Sequence, residues 1–231
     1  VRIPLLSLPV RGGAAVGVVQ QAAMAVATGT AQVVVCYRAL NGRSGARYSS
    51  GVGEGIVTAD LIHWSWYMPF GLMTPTSWVA MFTQRYMHEY GCTSLDLGEV
   101  AVSTRKHAVN NPHAFYYQQP LTIEEHQRSR YIAAPLHLYD CCQETDGGTA
   151  CVITSPQRAR DLKQTAALIR GAAQAAGADQ EVMTSFYRPN IACLPEMDLV
   201  AKQVYQQSGL GPNDVDAAII YDAFTSIVLW Q

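Results

Sequence analysis

Apolar runs of strand length alternate along this chain with longer segments that repeat apolar residues at helical spacing. The runs of strand length are Gln32–Tyr37, Gly148–Thr154, Ala166–Ala173 and Ala217–Tyr221. The segments of helical spacing are Ala14–Thr28, Thr76–Tyr90, Thr93–Ala108 and Pro195–Gln207. The first of these helices is apolar enough to be buried. Strands that alternate with helices predict a layered α/β sheet.

Local signals mark where several of these elements begin and end. Three helices are followed by a glycine that predicts their end: Gly29, Gly91 and Gly209. Thr122 and Glu125 form a capping box for a short helix, and Ser155 before Pro156 predicts another helix start. A last helix should begin near Ala223. Between these elements, Asn41–Thr74 is a long Gly-rich and aromatic connection, of a length that is normally functional.

The composition narrows the classes of function. The chain has 231 residues, of which 49% are hydrophobic and 15% charged, with a formal net charge of −2. About 25% charged is usual, so we expect part of the surface to be covered by another subunit. The chain contains no run of Lys or Arg, which argues against nucleic acid as its main partner. Its longest apolar runs are far shorter than the ~20 residues that a membrane helix requires. The sequence opens and closes in mid-pattern, at VRIPLLSLPV and AFTSIVLWQ, which predicts a fragment.

Cysteine and histidine spacing predicts no metal site. The six cysteines are Cys36, Cys92, Cys141, Cys142, Cys151 and Cys193. They match no metal or disulfide framework, so we expect free thiols and a cytoplasmic, reducing compartment. The six histidines lie far apart, and each is interpreted as a surface residue or a hydrogen-bonded core residue.

Two short clusters could carry chemistry. In YDCCQETDGG (Tyr139–Gly148), a tight structural turn is the favoured interpretation. The alternative is Cys141 or Cys142 as a nucleophile, which needs a nearby cation or helix start that the sequence does not show. In the second cluster, Tyr221 and Asp222 follow a predicted strand at the edge where open α/β sheets bind ligands. Tyr221 could transfer a proton there and Asp222 could cap the next helix. The alternative is a partly buried Tyr with a hydrogen-bonded hydroxyl.

In their order along the chain, several segments resemble the sterol-carrier-protein-x/lipid-transfer branch of the thiolase superfamily. They are the pair Ala14–Tyr37, PFGLMTP (Pro69–Pro75), RYMHEYG (Arg85–Gly91), PLT (Pro120–Thr122), YDCCQETDGGTACVITS (Tyr139–Ser155), GAAQ (Gly171–Gln174), SFYRP (Ser185–Pro189) and SGLGPNDVDAAIIYDAFT (Ser208–Thr225). The resemblance covers almost the whole chain and implies a thiolase-like layered α/β fold with central helices, incomplete at both ends. It places the first half at 1–40 and 136–194, an inserted loop domain at 41–135, and the start of the second half at 195–231.

The chain departs from true thiolases where their nucleophile stands. A thiolase has a reactive Cys just before the helix that corresponds to Ala15–Val26, whereas this chain has Gly12 and Gly13 there. Where the family has an oxyanion-hole donor, this chain has Tyr221. Both features resemble the thiolase-like aldolases of steroid side-chain degradation, which cleave a β-hydroxyacyl-CoA to a ketone and a shorter acyl-CoA. The resemblance implies Tyr221 in proton transfer, with Tyr187 as a weaker candidate and Asp222 as a supporting residue.

The resemblance also implies partners. These aldolases work with a small protein that carries an OB-fold and a zinc ribbon, and thiolase subunits form homodimers. No cofactor is expected besides the CoA thioester substrate. The aromatic stretch His63–Pro75 could shape a pocket for a fused-ring substrate, face a partner, or simply pack. Two other functions stay open: a 3-ketoacyl-CoA thiolase that uses Cys141 or Cys142, and a non-catalytic acyl-CoA-binding subunit.

Overall fold

The computed structural model describes residues 16–45, 47, 59–180 and 185–231 of the chain. The chain divides into two compact units. Unit 1 comprises Val1–Leu40, Asp146–Gly177 and Pro195–Ala218, and unit 2 comprises Asn41–Thr145, Ala178–Leu194 and Ile219–Gln231. The assignment of segments to two thiolase-like halves and a loop domain stays a prediction. The glycines expected in place of the thiolase nucleophile, Gly12 and Gly13, lie outside the described residues.

Unit 1 contains a two-stranded sheet with helices. Its elements are α1 (Gly17–Ala27), β1 (Val33–Asn41, the last residue of which belongs to unit 2), β4 (Asp146–Thr154), α6 (Pro156–Ala159) and α7 (Pro195–Ser208). Strand β1 pairs with β4. A Cβ on Gly148 would lie 3.2 Å from the Cβ of Ala39, so the glycine permits the close approach of the strands.

Helix α1 and strand β1 are less buried than the sequence predicts. Only Gly17 and Ala22 of α1 are buried. On β1, Val33, Val35 and Tyr37 share one face because alternate strand residues do, and all three are exposed. The apolar pattern therefore predicts a strand that can pack on both faces. The described residues cover only the face that carries Cys36.

Two predicted strands are wrong. Ala166–Ala173 and Ala217–Tyr221 have no strand structure. In the first, the Arg170 guanidinium donates to the Ser208 carbonyl oxygen and the Ala172 N–H donates to the Gln207 side chain, both at 3.0 Å, so this segment bonds to the end of α7. In the second, Ile219 is fully exposed. A strand requires a neighbouring backbone as a hydrogen-bond partner, and no described strand pairs with either segment.

Unit 2 is mainly helical. Its elements are α2 (Ala59–Tyr67), α3 (Pro75–Tyr90), α4 (Ser94–Ala108), α5 (Ile123–Arg128), the antiparallel pair β2 (Tyr131–Ala133) and β3 (Leu136–His137), and α8 (Thr225–Trp230). Helix α2 lies within Asn41–Thr74, the segment predicted to be a long connection between elements. The buried apolar core comprises Val79, Ala80, Leu97, Leu136, Ala223, Phe224 and Ile227. It joins α3, α4, β3 and α8.

The helix boundaries in unit 2 follow local signals, of which Gly91 and the capping box of α5 were predicted, and α3 starts at Pro75, one residue before its predicted start. The Thr74 hydroxyl accepts from the Ser77 N–H at the start of α3, and Gly91, with φ of 68°, ends that helix. At the start of α4, the Asp96 carboxylate accepts from the Thr93 N–H at 2.7 Å. The capping box of α5 is confirmed, because the Glu125 N–H donates to the Thr122 hydroxyl and the Thr122 N–H to Glu125.

Candidate functional site

The two clusters identified in the sequence contact each other in unit 2. Cys141 forms an isolated antiparallel bridge with Phe224. The Cys142 N–H donates to the Ala223 carbonyl oxygen at 2.9 Å. Cys142 therefore lies against the segment that carries Tyr221 and Asp222. No local sequence signal indicates this contact, because the two clusters are about 80 residues apart.

Tyr221 and Asp222 lie on the surface just before α8. Tyr221 is 61% exposed, and its carbonyl oxygen accepts from the Gln231 side-chain amide at 2.7 Å. The backbone at Tyr221 is therefore bonded to Gln231, the residue that follows the last turn of α8. Asp222 is exposed as well, and it does not cap α8 as predicted, because the N-cap position of that helix is occupied by Phe224. We call the exposed surface of Tyr221, Asp222 and Cys142 the rim.

Tyr187 occupies a position set by aromatic packing. It is 52% exposed. The adjacent Phe186 stacks on Phe82 of α3, with ring centroids 4.7 Å apart, and meets Tyr67 of α2 edge-on at 5.4 Å. The residue next to Tyr187 in the chain therefore packs against α2 and α3.

The aromatic stretch after His63 divides into packed and exposed residues. Trp64 stacks on Trp78 with ring centroids 4.9 Å apart, and Tyr67 contacts Phe186. Trp66 and Phe70, in contrast, are 74% and 84% exposed. Packing accounts for the first two rings. The other two leave apolar surface that a substrate or a partner could cover.

The thiols of Cys141 and Cys142 are poor nucleophiles in this environment. Burial, followed by the charges of Asp140 and Cys142, raises the pKa of Cys141 to about 12. Cys142 is exposed as a residue, but desolvation of its thiol by neighbouring atoms, together with the carboxylates of Asp222 and Glu144, raises its pKa too. Thiolate is the reactive form, so its fraction at neutral pH falls at both positions.

We expect Asp222→Asn to accelerate alkylation of Cys142 by iodoacetamide at about pH 8, near the pKa of a free thiol. The carboxylate raises the pKa of this thiol, so its removal lowers the pKa and increases the thiolate fraction. Mass spectrometry of the Cys142 peptide measures the rate. Asp198→Asn, which changes an exposed carboxylate on α7, is the control and should leave the rate unchanged. Equal rates in all three proteins would contradict the proximity of Asp222 to the thiol.

A buried polar network lies directly beneath this rim. The side chains of Asp140 and His126 are completely buried, and His126 Nε2 lies 2.8 Å from Asp140 Oδ1. The same carboxylate oxygen accepts from the Thr225 hydroxyl at 2.7 Å, and Asp140 Oδ2 accepts from the His137 N–H at 2.7 Å. Three elements of the fold, α5, β3 and α8, therefore meet at one carboxylate.

Helix α4 leaves room for this network at Gly98. A Cβ at Gly98 would lie 3.0 Å from His126 Nδ1 and 3.3 Å from Cγ of the same ring. The missing side chain allows the imidazole to pack against α4. Sequence reasoning treated His126 as an isolated residue. The signals that could have found it were its place in the capped helix α5 and the glycine in the middle of α4.

The described residues include no group of three His, Cys, Asp or Glu side chains placed to hold a metal ion. No helix in the described part of the chain is long and apolar enough to cross a membrane.

Comparison with curated proteins finds close relatives, whereas a scan of family models finds no match. A steroid side-chain-cleaving aldolase of Thermomonospora curvata is 60% identical over 225 residues, which cover 95% of this chain and 57% of that protein. A 17-hydroxy-3-oxo-4-pregnene-20-carboxyl-CoA lyase of Mycobacterium tuberculosis is 54% identical over 222 residues, which cover 95% of this chain and 58% of that protein. The chain thus spans a little over half the length of these relatives.

The chain is also similar to two solved structures, an aldolase and a thiolase-like protein. The Ltp2-ChsH2(DUF35) aldolase matches with a TM-score of 0.87 and 60% identity, over 94% of this chain and 55% of that one. A monomeric SCP2-thiolase-like protein of Mycobacterium smegmatis matches with a TM-score of 0.69 at 18% identity, over 95% of this chain and 45% of that one. The second match extends the likeness in fold to proteins of low sequence identity.

Proposed function

We propose that this chain, whose sequence and fold are those of the thiolase superfamily, is part of an aldolase that cleaves a steroid side chain held as a CoA thioester. The observation that carries the proposal is the 60% identity, over 95% of the chain, to a steroid side-chain-cleaving aldolase. The second relative, named as a lyase of a pregnene-carboxyl-CoA, supports the same class of substrate. The proposed substrate is a β-hydroxyacyl-CoA.

The proposed reaction is a retro-aldol cleavage. A base removes the proton of the β-hydroxyl group, and the C–O bond becomes the carbonyl of the ketone product. The Cα–Cβ bond breaks, and its electron pair passes to the thioester as an enolate. An acid then returns a proton to Cα, which gives the shorter acyl-CoA. The step forms no covalent bond to the enzyme and changes no oxidation state of a cofactor, so acid–base groups and hydrogen-bond donors suffice.

Tyr221 is proposed as the group that moves the proton. Its phenol is exposed at the rim formed with Asp222 and Cys142, where an acyl-CoA can reach it. A free phenol has a pKa of about 10, so it serves as an acid directly and as a base when a bound substrate or a relay assists. Asp222 is proposed to orient the substrate or the phenol. Tyr187 remains the weaker candidate for proton transfer.

A thiolase mechanism through Cys141 or Cys142 conflicts with the raised pKa of both thiols. We expect the enzyme to form no acyl adduct on either residue when it is incubated with acyl-CoA. We also expect Cys141→Ala and Cys142→Ser to retain most of the cleavage activity, because neither thiol takes part in the retro-aldol step. Intact-protein mass spectrometry and steady-state assays measure the two outcomes. An acyl mass on one of these residues, lost in its variant, would favour acyl transfer.

The proposed partner is a DUF35 protein. The structural relative is the Ltp2-ChsH2(DUF35) aldolase, which supports a hetero-oligomer. We further propose that this partner carries the OB-fold and zinc ribbon implied by the family, that the chain forms the homodimer of thiolases, and that the assembly is cytoplasmic. The exposed apolar residues of β1, together with Trp66 and Phe70, provide surface for such contacts.

The proposed function is tested with the complete protein and a DUF35 partner. The complex is incubated with a β-hydroxyacyl-CoA whose acyl group is a steroid side chain, and the products are identified by mass spectrometry. We expect a ketone and a shorter acyl-CoA in equal amounts. Substrate that binds and is recovered unchanged would indicate the non-catalytic binding subunit instead.

A further inference from the structure

The first residue of α8 is fixed by a carboxylate in the interior of unit 2. Thr225 is buried, and its hydroxyl donates to Asp140 Oδ1 at 2.7 Å. Asp140 is held by the His137 N–H on its other oxygen. A buried carboxyl group with partners on both oxygens has little freedom to rotate, so it defines the position of each donor around it.

His126 completes the support of Asp140, and its neighbours determine which ring nitrogen carries the hydrogen. The Gln127 side-chain NH₂ donates to the Ser94 carbonyl oxygen at 2.9 Å and lies 3.0 Å from His126 Nδ1. An NH₂ group only donates, so Nδ1 is the acceptor of this pair. The hydrogen then resides on Nε2, which donates to Asp140 at 2.8 Å. The chain of contacts runs from α4 through α5 to α8.

This buried anchor lies four residues from Tyr221. Between them, Phe224 bridges Cys141, and the Ala223 carbonyl oxygen accepts from the Cys142 N–H. Asp140, Cys141 and Cys142 are consecutive, so one short segment holds Thr225 by a side chain and Ala223–Phe224 by its backbone. The residues that directly follow Tyr221 and Asp222 in the chain are therefore held in place.

We propose that Asp140 and Thr225 are positioning residues of the aldolase site: their buried hydrogen bond sets the start of α8 and thereby the place of Tyr221 and Asp222. The inference rests on the proposed function, and it adds residues that touch neither substrate nor the reacting atoms. A displacement of about 1 Å of an aligned group can reduce a rate about a hundredfold. Loss of the hydrogen bond between Asp140 and Thr225 should therefore lower the turnover rate.

The test replaces Thr225 in the complete protein with its partner. We expect Thr225→Ala to lower kcat about a hundredfold with KM nearly unchanged, because the reacting groups are misplaced while the acyl-CoA surface remains. Thr225→Ser retains the hydroxyl and should restore most of kcat. The second readout is alkylation of Cys142 by iodoacetamide, which should be faster in Thr225→Ala than in the wild type and Thr225→Ser, since Asp222 then lies less close to the thiol. If Thr225→Ala does not fold, Thr225→Val gives the same loss of hydroxyl with the volume retained.

Thr83→Ala is the matched control. Thr83 is completely buried, and its hydroxyl donates to the Val79 carbonyl oxygen and bonds the hydroxyl of Ser226, the next residue of α8. We expect this variant to lower Tm about as much as Thr225→Ala while kcat and Cys142 alkylation stay near wild type. Equal losses of kcat in both variants would overturn the inference, since the loss would then report the stability of α8.

Two further outcomes separate this inference from the proposed function. If the wild-type complex cleaves the substrate, and Thr225→Ala has the same kcat and the same rate of Cys142 alkylation as the wild type, the positioning role is overturned. The aldolase function then remains in place. A wild-type complex that cleaves no β-hydroxyacyl-CoA would overturn the proposed function, whereas the alkylation rates would still decide whether Asp140 and Thr225 fix the rim.

Discussion

Tyr221→Phe should lower kcat for cleavage by roughly a hundredfold to ten-thousandfold, the usual contribution of a positioned acid–base group. The substitution removes one oxygen atom from a side chain that is 61% exposed, so the fold should be retained. KM should change little, because the phenol is assigned to the transfer of a proton and not to binding of the CoA portion. Steady-state kinetics of the complete protein with its partner measure both constants.

Two other tyrosines provide controls for this substitution. Tyr187→Phe changes the weaker candidate, whose side chain is 52% exposed, and should reduce turnover less. Tyr37→Phe changes an exposed residue of β1 in unit 1 and should have no effect on turnover. Near-normal turnover in Tyr221→Phe would remove this residue from the mechanism, and a larger loss in Tyr187→Phe would transfer the role to Tyr187.

Asp140→Ala should produce the largest loss of stability among these substitutions, about 3 kcal/mol or more in the free energy of unfolding, because each of three buried donors loses its acceptor at a cost of about 1–3 kcal/mol. The carboxylate is the acceptor for the His126 ring, the Thr225 hydroxyl and the His137 N–H. Its removal leaves these buried donors without a partner, and a buried polar group that loses its hydrogen bond bears its full desolvation penalty. Natural domains are stable by only about 5–15 kcal/mol, so this loss is a large share of the total.

Chemical denaturation of the complete protein measures this loss. Asp198→Ala is the control, because Asp198 lies on the exposed side of α7 and forms an ion pair with Lys202 one turn later. Exposed pairs of this kind contribute less than about 1 kcal/mol. If Asp140→Ala were no more destabilising than Asp198→Ala, the buried network would not support unit 2 in the way its geometry indicates.

The amino-acid sequence by itself determined the elements whose signals are local. Helices α3, α4 and α5 are capped at Thr74, Thr93 and Thr122, where a hydrogen bond joins the cap to the residue three positions later. Such a cap involves residues only three positions apart, so it is visible in the sequence. The order of the segments also identified the thiolase-like fold, and the likeness to the solved structures confirms it.

Only the tertiary structure decided which distant residues meet. Ala166–Ala173 and Ala217–Tyr221 have the composition of strands but not the neighbouring backbone that a strand requires, and composition cannot supply that neighbour. The contact of Cys142 with Ala223 and the bond from Asp140 to Thr225 join residues more than 80 positions apart. Both contacts arise because α8 packs into the core beside β3 and α4, and burial there forces every polar group to find a partner. The candidate chemistry was visible in the residue types, whereas its geometry depends on this packing.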